Sequence, residues 1–123
     1  KISKLKRRTA ENTRHALIRR LKPLAPELRK TLTFDNGTEN AEHTIVSDTL
    51  NIETYFCHPY ASYEKGSVEN SIGLIRRVFP KGTNFDTIST KQIRQLENSI
   101  NSKPRKCLKY LTPREAFRNE CCT

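Results

Sequence analysis

Apolar and polar residues alternate from Ile2 to Leu5, the period-two pattern of a half-buried strand. Thr9 can cap a helix that follows, in which Thr13, Leu17 and Leu21 share one face until Pro23 and Pro26 stop it. Leu32 to Asp35 reads as a short strand ending in Asp35-Asn36-Gly37, which is turn chemistry. A helix is expected from about Ala41 to Leu50, then a strand from Glu53 to Cys57, rich in β-branched and aromatic residues. After a loop from His58 to Gly66, the 4-3-4 spacing of Val68, Ile72, Ile75 and Phe79 predicts a helix from Ser67 to Phe79 with those residues as its buried stripe. Pro80-Lys81-Gly82 ends that helix. Ser89 with Gln92, and Thr112 with Glu115, are two capping-box pairs, the second followed by Pro113 at the favoured first helical position. Strands separated by helices imply parallel pairing and an α/β layered domain.

Composition narrows the classes. The 123 residues amount to one domain, with a hydrophobic fraction of 34%, on the low side. No apolar run approaches the ~20 residues of a membrane span, so the chain is expected to be soluble and intracellular. It begins at Lys1 and contains no methionine, and it is therefore read as part of a longer chain. The net charge is +10 and unevenly spread: residues 1–30 carry eleven Lys or Arg against Glu11 and Glu27. Such a field favours a polyanionic partner, since neutralising phosphates releases condensed counterions. A solvated helix face would look the same. Cys57, Cys107, Cys121 and Cys122 form no C-x-x-C pair, and their spacing is not that of a zinc site. Idle reduced thiols in a reducing compartment fit them best.

Two carboxylates stand out by position. Asp35 ends a strand, and Glu69 falls in the first turn of a helix two elements later. In open α/β sheets ligands gather beyond the carboxyl ends of parallel strands, so both are expected at one crevice. Phosphodiester chemistry uses such hard oxygen ligands to hold two divalent ions, and a third carboxylate is expected beside them. Taken singly, each residue has a structural reading: Asp-Asn-Gly is a common turn, and a glutamate in a first helical turn suits the helix dipole.

The surrounding segments decide between these readings. Leu32-Thr33-Phe34-Asp35-Asn36-Gly37-Thr38-Glu39-Asn40 resembles the segment around the second catalytic aspartate of bacterial insertion-sequence transposases, members of the retroviral-integrase-like D-D-E superfamily. His58-Pro59-Tyr60-Ala61-Ser62-Tyr63-Glu64-Lys65-Gly66-Ser67-Val68-Glu69-Asn70 resembles their catalytic-glutamate segment, and the 33 residues between Asp35 and Glu69 are a spacing typical of that family. Phe79 to Phe85, Asn101 to Lys106 and Leu111-Thr112-Pro113 are similar to its later motifs, so the resemblance runs from about Thr9 to Phe117. Tyr63 stands where many relatives have Trp, which keeps a large ring.

The resemblance implies a ribonuclease-H-like, three-layer fold (the integrase catalytic core) whose amino-terminal strands are missing, Ile2 to Leu5 being the third strand. The whole chain would be one partial domain, with the core sheet and helices in about residues 1–80 and carboxyl-terminal helices in 81–123. It implies Asp35 and Glu69 as catalytic metal ligands for two Mg²⁺ (or Mn²⁺) ions. Water or a 3′-hydroxyl would then attack a phosphodiester of double-stranded DNA at insertion-sequence ends or target. Lys65, Asn70 and Arg76 would be DNA-facing neighbours, as would the basic run of Lys6, Arg7 and Arg8. Asn70 could equally bond within its helix turn, Arg76 could reach only solvent, and the basic run could be an exposed strand end. A homo-oligomer at the bacterial nucleoid is implied, with no membrane. The family carries its first aspartate on the opening strand, and no residue here fills that place, so this chain alone is expected to be inactive. The alternative is a non-catalytic DNA-binding remnant of a decayed element; a ribonuclease is a further one.

Overall fold

Thr9 closes the first turn of a helix by accepting a hydrogen bond from the Asn12 amide at 3.3 Å, and helix α1 runs Ala10–Leu21. It is seen in a computed structural model that describes residues 1–122, apart from the side chains of Ser62 and Lys65. Strand β1 is Thr31–Phe34, helix α2 His43–Leu50, strand β2 Glu53–Phe56, helix α3 Gly66–Val78, helix α4 Thr90–Asn101 and helix α5 Pro113–Cys121. Short 3₁₀ turns fill several of the connections. The chain forms two compact units: Leu5–Gly66, and Lys1–Lys4 together with the residues from Ser67 onward.

In the first unit β1 and β2 pair in parallel, with Leu32 opposite Thr54 and Phe34 opposite Phe56. Parallel strands need a crossover, and α2 supplies it. Side chains alternate across a strand, so Leu32 and Phe34 face one way and Thr31 and Thr33 are left exposed. The inner face packs on Val46, Leu50 and Ile52, which are covered in turn by Leu17, Ile18 and Leu21 of α1. Buried Phe34 lies against the rings of His43 and the exposed Phe56, and the His43 and Phe56 rings meet edge-on with centroids 4.7 Å apart. Arg14 of α1 lies 2.8 Å from a Glu42 carboxylate oxygen just before α2, an ion pair whose angle misses hydrogen-bond geometry. Asn51, in the left-handed region that asparagine tolerates, ends α2 and turns the chain into β2.

In the second unit, Phe79, Ile93, Leu96 and Ile100 form the buried cluster, with Ile2, Leu74, Ile75 and Ile88 against it. Both expected capping boxes form, at Ser89 with Gln92 and at Thr112 with Glu115. Gly82, at φ 85°, makes the turn after α3, where a side chain would be strained.

Two expectations are corrected. Ile2 to Leu5 is not a strand: among the described residues only β1 and β2 pair. The Ile2 amide donates instead to the Glu97 carboxylate at 2.8 Å, and Lys4 Nζ donates to the carbonyls of Asp86 and Ile88 at 3.4 and 3.2 Å. The alternation reflects Ile2 seated on a helical cluster. Of the expected α3 stripe, Phe79, just past the helix end, is buried and Ile75, joined by Leu74, is partly so; Val68 and Ile72 are 45% and 44% exposed. The cluster gathers where the chain turns back after Phe79, beyond the reach of the first two turns of α3.

Candidate active site

The sheet places its first candidate directly. Pairing continues one step past β1, where the Cys57 amide donates to the Phe34 carbonyl at 2.9 Å. The Asn36 side-chain amide then donates to the Cys57 carbonyl at 3.0 Å, which fixes the turn to the neighbouring strand end. Asp35 therefore leaves the carboxyl end of a parallel strand, exposed, on a turn held from both sides.

Its carboxylate is oriented by two donors. Asp35 Oδ1 accepts from the Gly37 amide at 3.2 Å, the local bond expected of an Asp-x-Gly turn, and from Asn40 Nδ2 at 2.8 Å. Oδ2 stands outside this network among the described residues. A Cβ at Gly37 would run into the Glu39 carboxylate, which would have to move aside.

Glu39 is bound by Arg8. The Arg8 Nη2 to Glu39 Oε1 distance is 2.6 Å, with the Arg8 side chain 76% exposed and the Glu39 side chain 17%. The hydrogen bond from Arg8 is the main cause holding the Glu39 pKa below its ordinary value, and the same bond raises that of Arg8. Asp35 adds a small opposing repulsion on Glu39. Of the basic run Lys6, Arg7 and Arg8, Arg8 thus has its charge matched locally. Lys6 and Arg7 lie exposed in the bend before α1.

The loop leaving β2 is pinned by its own residues. Glu64 accepts from the His58 amide at 3.0 Å and contacts the His58 ring Nδ1 at 2.9 Å. Hydrogen bonding from the His58 side chain, then from its amide, holds the Glu64 carboxyl below its ordinary value of 4.5. A group with a lowered folded pKa stabilises above its unfolded value, and that contribution is lost as pH falls through the folded one. The His58 amide resonance is therefore expected to titrate with a midpoint below 4.5, and Glu64→Gln should abolish that titration. A midpoint at or above the ordinary value would show that the loop is not closed this way in solution. Tyr60, at φ 61°, and Tyr63 are both exposed on this loop.

Glu69 lies exposed in the first turn of α3, within the second unit, with Asn70 and Arg76 also exposed on that helix. Arg76, seven residues on, returns to the Glu69 face. The Lys65 side chain is outside the described residues. Among the described residues no three His, Cys, Asp or Glu side chains gather as a metal-binding group. Asp35 and Glu69 belong to different compact units, and each is placed here within its own. Residue patterns alone missed Asn40, whose letter reads as loop, and Glu39, whose partner lies 31 residues away.

Comparison with known proteins gives the chain relatives. It is 50% identical over 88 residues to the transposase for insertion sequence element IS4351 of Bacteroides fragilis, covering 72% of this chain and 27% of that protein. It is 37% identical over 94 residues to the transposase for IS1086 of Cupriavidus metallidurans, covering 76% of this chain and 28% of the relative. Transposase InsI for IS30A of Escherichia coli matches at 35% over 114 residues, covering 93% of this chain and 30% of its own length. The chain is thus homologous to insertion-sequence transposases, and it spans less than a third of the length of these curated relatives. No protein-family model matches it, and no solved structure matches it significantly. No helix among the described residues is long and apolar enough to cross a membrane.

Proposed function

We propose that this chain is part of the catalytic domain of a D-D-E transposase of the retroviral-integrase-like superfamily, ribonuclease-H-like in its complete form. Asp35 and Glu69 serve as metal-ligand carboxylates for cutting and joining double-stranded DNA at insertion-sequence ends. The observation that carries this reading is Asp35 itself. It is an exposed carboxylate at the carboxyl end of a parallel strand, with one oxygen held by Gly37 and Asn40 and the other outside the network. The homology to insertion-sequence transposases supports the substrate class.

The donor set suits the ions that such chemistry uses. Asp35 and Glu69 are both exposed hard oxygen donors, which Mg²⁺ and Mn²⁺ prefer, and among the described residues neither sits in a cluster of three or more thiols or imidazoles. Two such ions, when bound, neutralise phosphate charge and steady the attacking and leaving oxygens of an in-line displacement. The chain's own part is to hold the Asp35 carboxylate in one rotamer through the Gly37 and Asn40 bonds, so that no reorganisation is needed when substrate arrives. Exposed Lys6, Arg7, Asn70 and Arg76 are the candidates for DNA contacts.

Binding to duplex DNA tests the substrate class. Affinity should fall steeply with salt and depend little on sequence, because phosphate contacts dominate basic surfaces. Replacing Lys6 and Arg7 together with Ala should flatten the slope of log affinity against log salt by up to about 0.9 for each lost phosphate contact. Arg8→Ala should flatten it less, since Glu39 already matches that charge. No measurable duplex binding by the chain at low salt would refute the DNA reading.

A further inference from the structure

We propose that Asn40 is the positioning residue for Asp35, fixing which carboxylate oxygen is presented to a divalent cation; this rests on the reading of Asp35 as a metal ligand. Asn40 is the one buried polar residue among the described residues. Burying an amide is unfavourable unless its hydrogen bonds are made. Here they are made to a single residue: Asn40 Nδ2 donates to Asp35 Oδ1 at 2.8 Å and to the Asp35 main-chain carbonyl at 3.1 Å. Because both partners are acceptors, only the NH₂ end can face them, so the amide orientation is set by chemistry. The Asn40 main-chain N–H in turn donates to the Gly37 carbonyl at 3.0 Å, which ties its backbone to the same turn.

The arrangement is specific in what it leaves over. Gly37 and Asn40 both bond Oδ1, so the carboxylate cannot rotate without breaking two bonds at once. Oδ2 is thereby held apart as the oxygen with unspent acceptor capacity. Outer groups that orient metal-ligating carboxylates commonly change metal affinity by roughly 10- to 100-fold when removed. Arg8 and Glu39, beside the same turn, pair with each other.

The test is a Mn²⁺ titration of this chain, read by paramagnetic broadening of the Gly37 amide resonance, with thermal melting followed in parallel. Asn40→Leu keeps the branched shape and removes both donors. The expected result is about 10- to 100-fold weaker broadening by Mn²⁺ in a protein that melts as the parent does. Asn40→Ser, which retains one short donor, should fall between the two. It decides the question if the Leu variant fails to fold. Unchanged Mn²⁺ affinity in whichever of these variants folds overturns the positioning role. If the parent chain and Asp35→Asn respond to Mn²⁺ alike, Asp35 is not a ligand, and both the metal reading and this inference fall.

Discussion

Asp35→Asn and Glu69→Gln, each placed in a transposase-length chain carrying this segment, are expected to lower strand transfer by on the order of a thousandfold or more. Each change removes a negative oxygen ligand while keeping the shape and most hydrogen bonds of the side chain. Asn at position 35 can still accept from Gly37 and Asn40 through its carbonyl oxygen, so the turn should survive. Neither residue takes part in a buried cluster, so the fold should tolerate both. Duplex binding should change little, since phosphate contacts come from basic side chains and backbone amides rather than from carboxylates. Cleavage and joining of an end-containing duplex with Mg²⁺ is the measurement, with binding followed separately. Near-normal joining by either variant would show that the site has been placed on the wrong carboxylate.

What could be read from residues alone follows the range of the interactions involved. Caps act within four residues, so Thr9, Ser89 with Gln92 and Thr112 with Glu115 marked their helix starts directly. The strand runs ending at Asp35 and Cys57 were legible because β-branched residues and a turn bracket them. Helix α2 starts two residues later than expected, because Thr38–Asn40 winds a separate turn to bring Asn40 under Asp35. Ile2 to Leu5 carries the alternation of a strand, but a strand also needs a ladder partner, and the Ile2 amide finds Glu97 instead. Periodicity likewise said which face of α3 is apolar without saying what covers it, hence exposed Val68 and Ile72. At the candidate site the positions of Asp35 and Glu69 were readable from local pattern. The partners that orient or neutralise their surroundings, Asn40 with Asp35 and Arg8 with Glu39, depend on where the turn folds. Nothing in the local pattern distinguished Arg8, paired in the fold, from its neighbour Arg7.

Leu50→Ala should be among the most destabilising single substitutions in the first unit, costing about 2–5 kcal/mol. Leu50 and Val46, each about 1% exposed, are its most deeply buried large side chains. Leu50 lies in the cluster that Leu17, Ile18 and Leu21 of α1 and Leu32 of β1 pack against. Removing three carbons from that junction leaves a cavity that surrounding groups on three elements cannot all close. A small domain has only roughly 5–15 kcal/mol of stability in total, so the loss is a large share of it. At about 4–8 °C per kcal/mol for a domain of this size, the melting temperature should fall by roughly 8 °C or more. The consequence reaches the site, because α2 is the crossover that holds β1 and β2 in register. The Cys57 amide, bonded to the Phe34 carbonyl beside Asp35, should lose hydrogen-exchange protection in parallel. Ile45→Ala is the control: on the same helix but 43% exposed, it should cost well under half as much. Urea unfolding of both variants gives the comparison. A Leu50→Ala loss no greater than that of Ile45→Ala would mean that this cluster is not what holds the Asp35 strand in place.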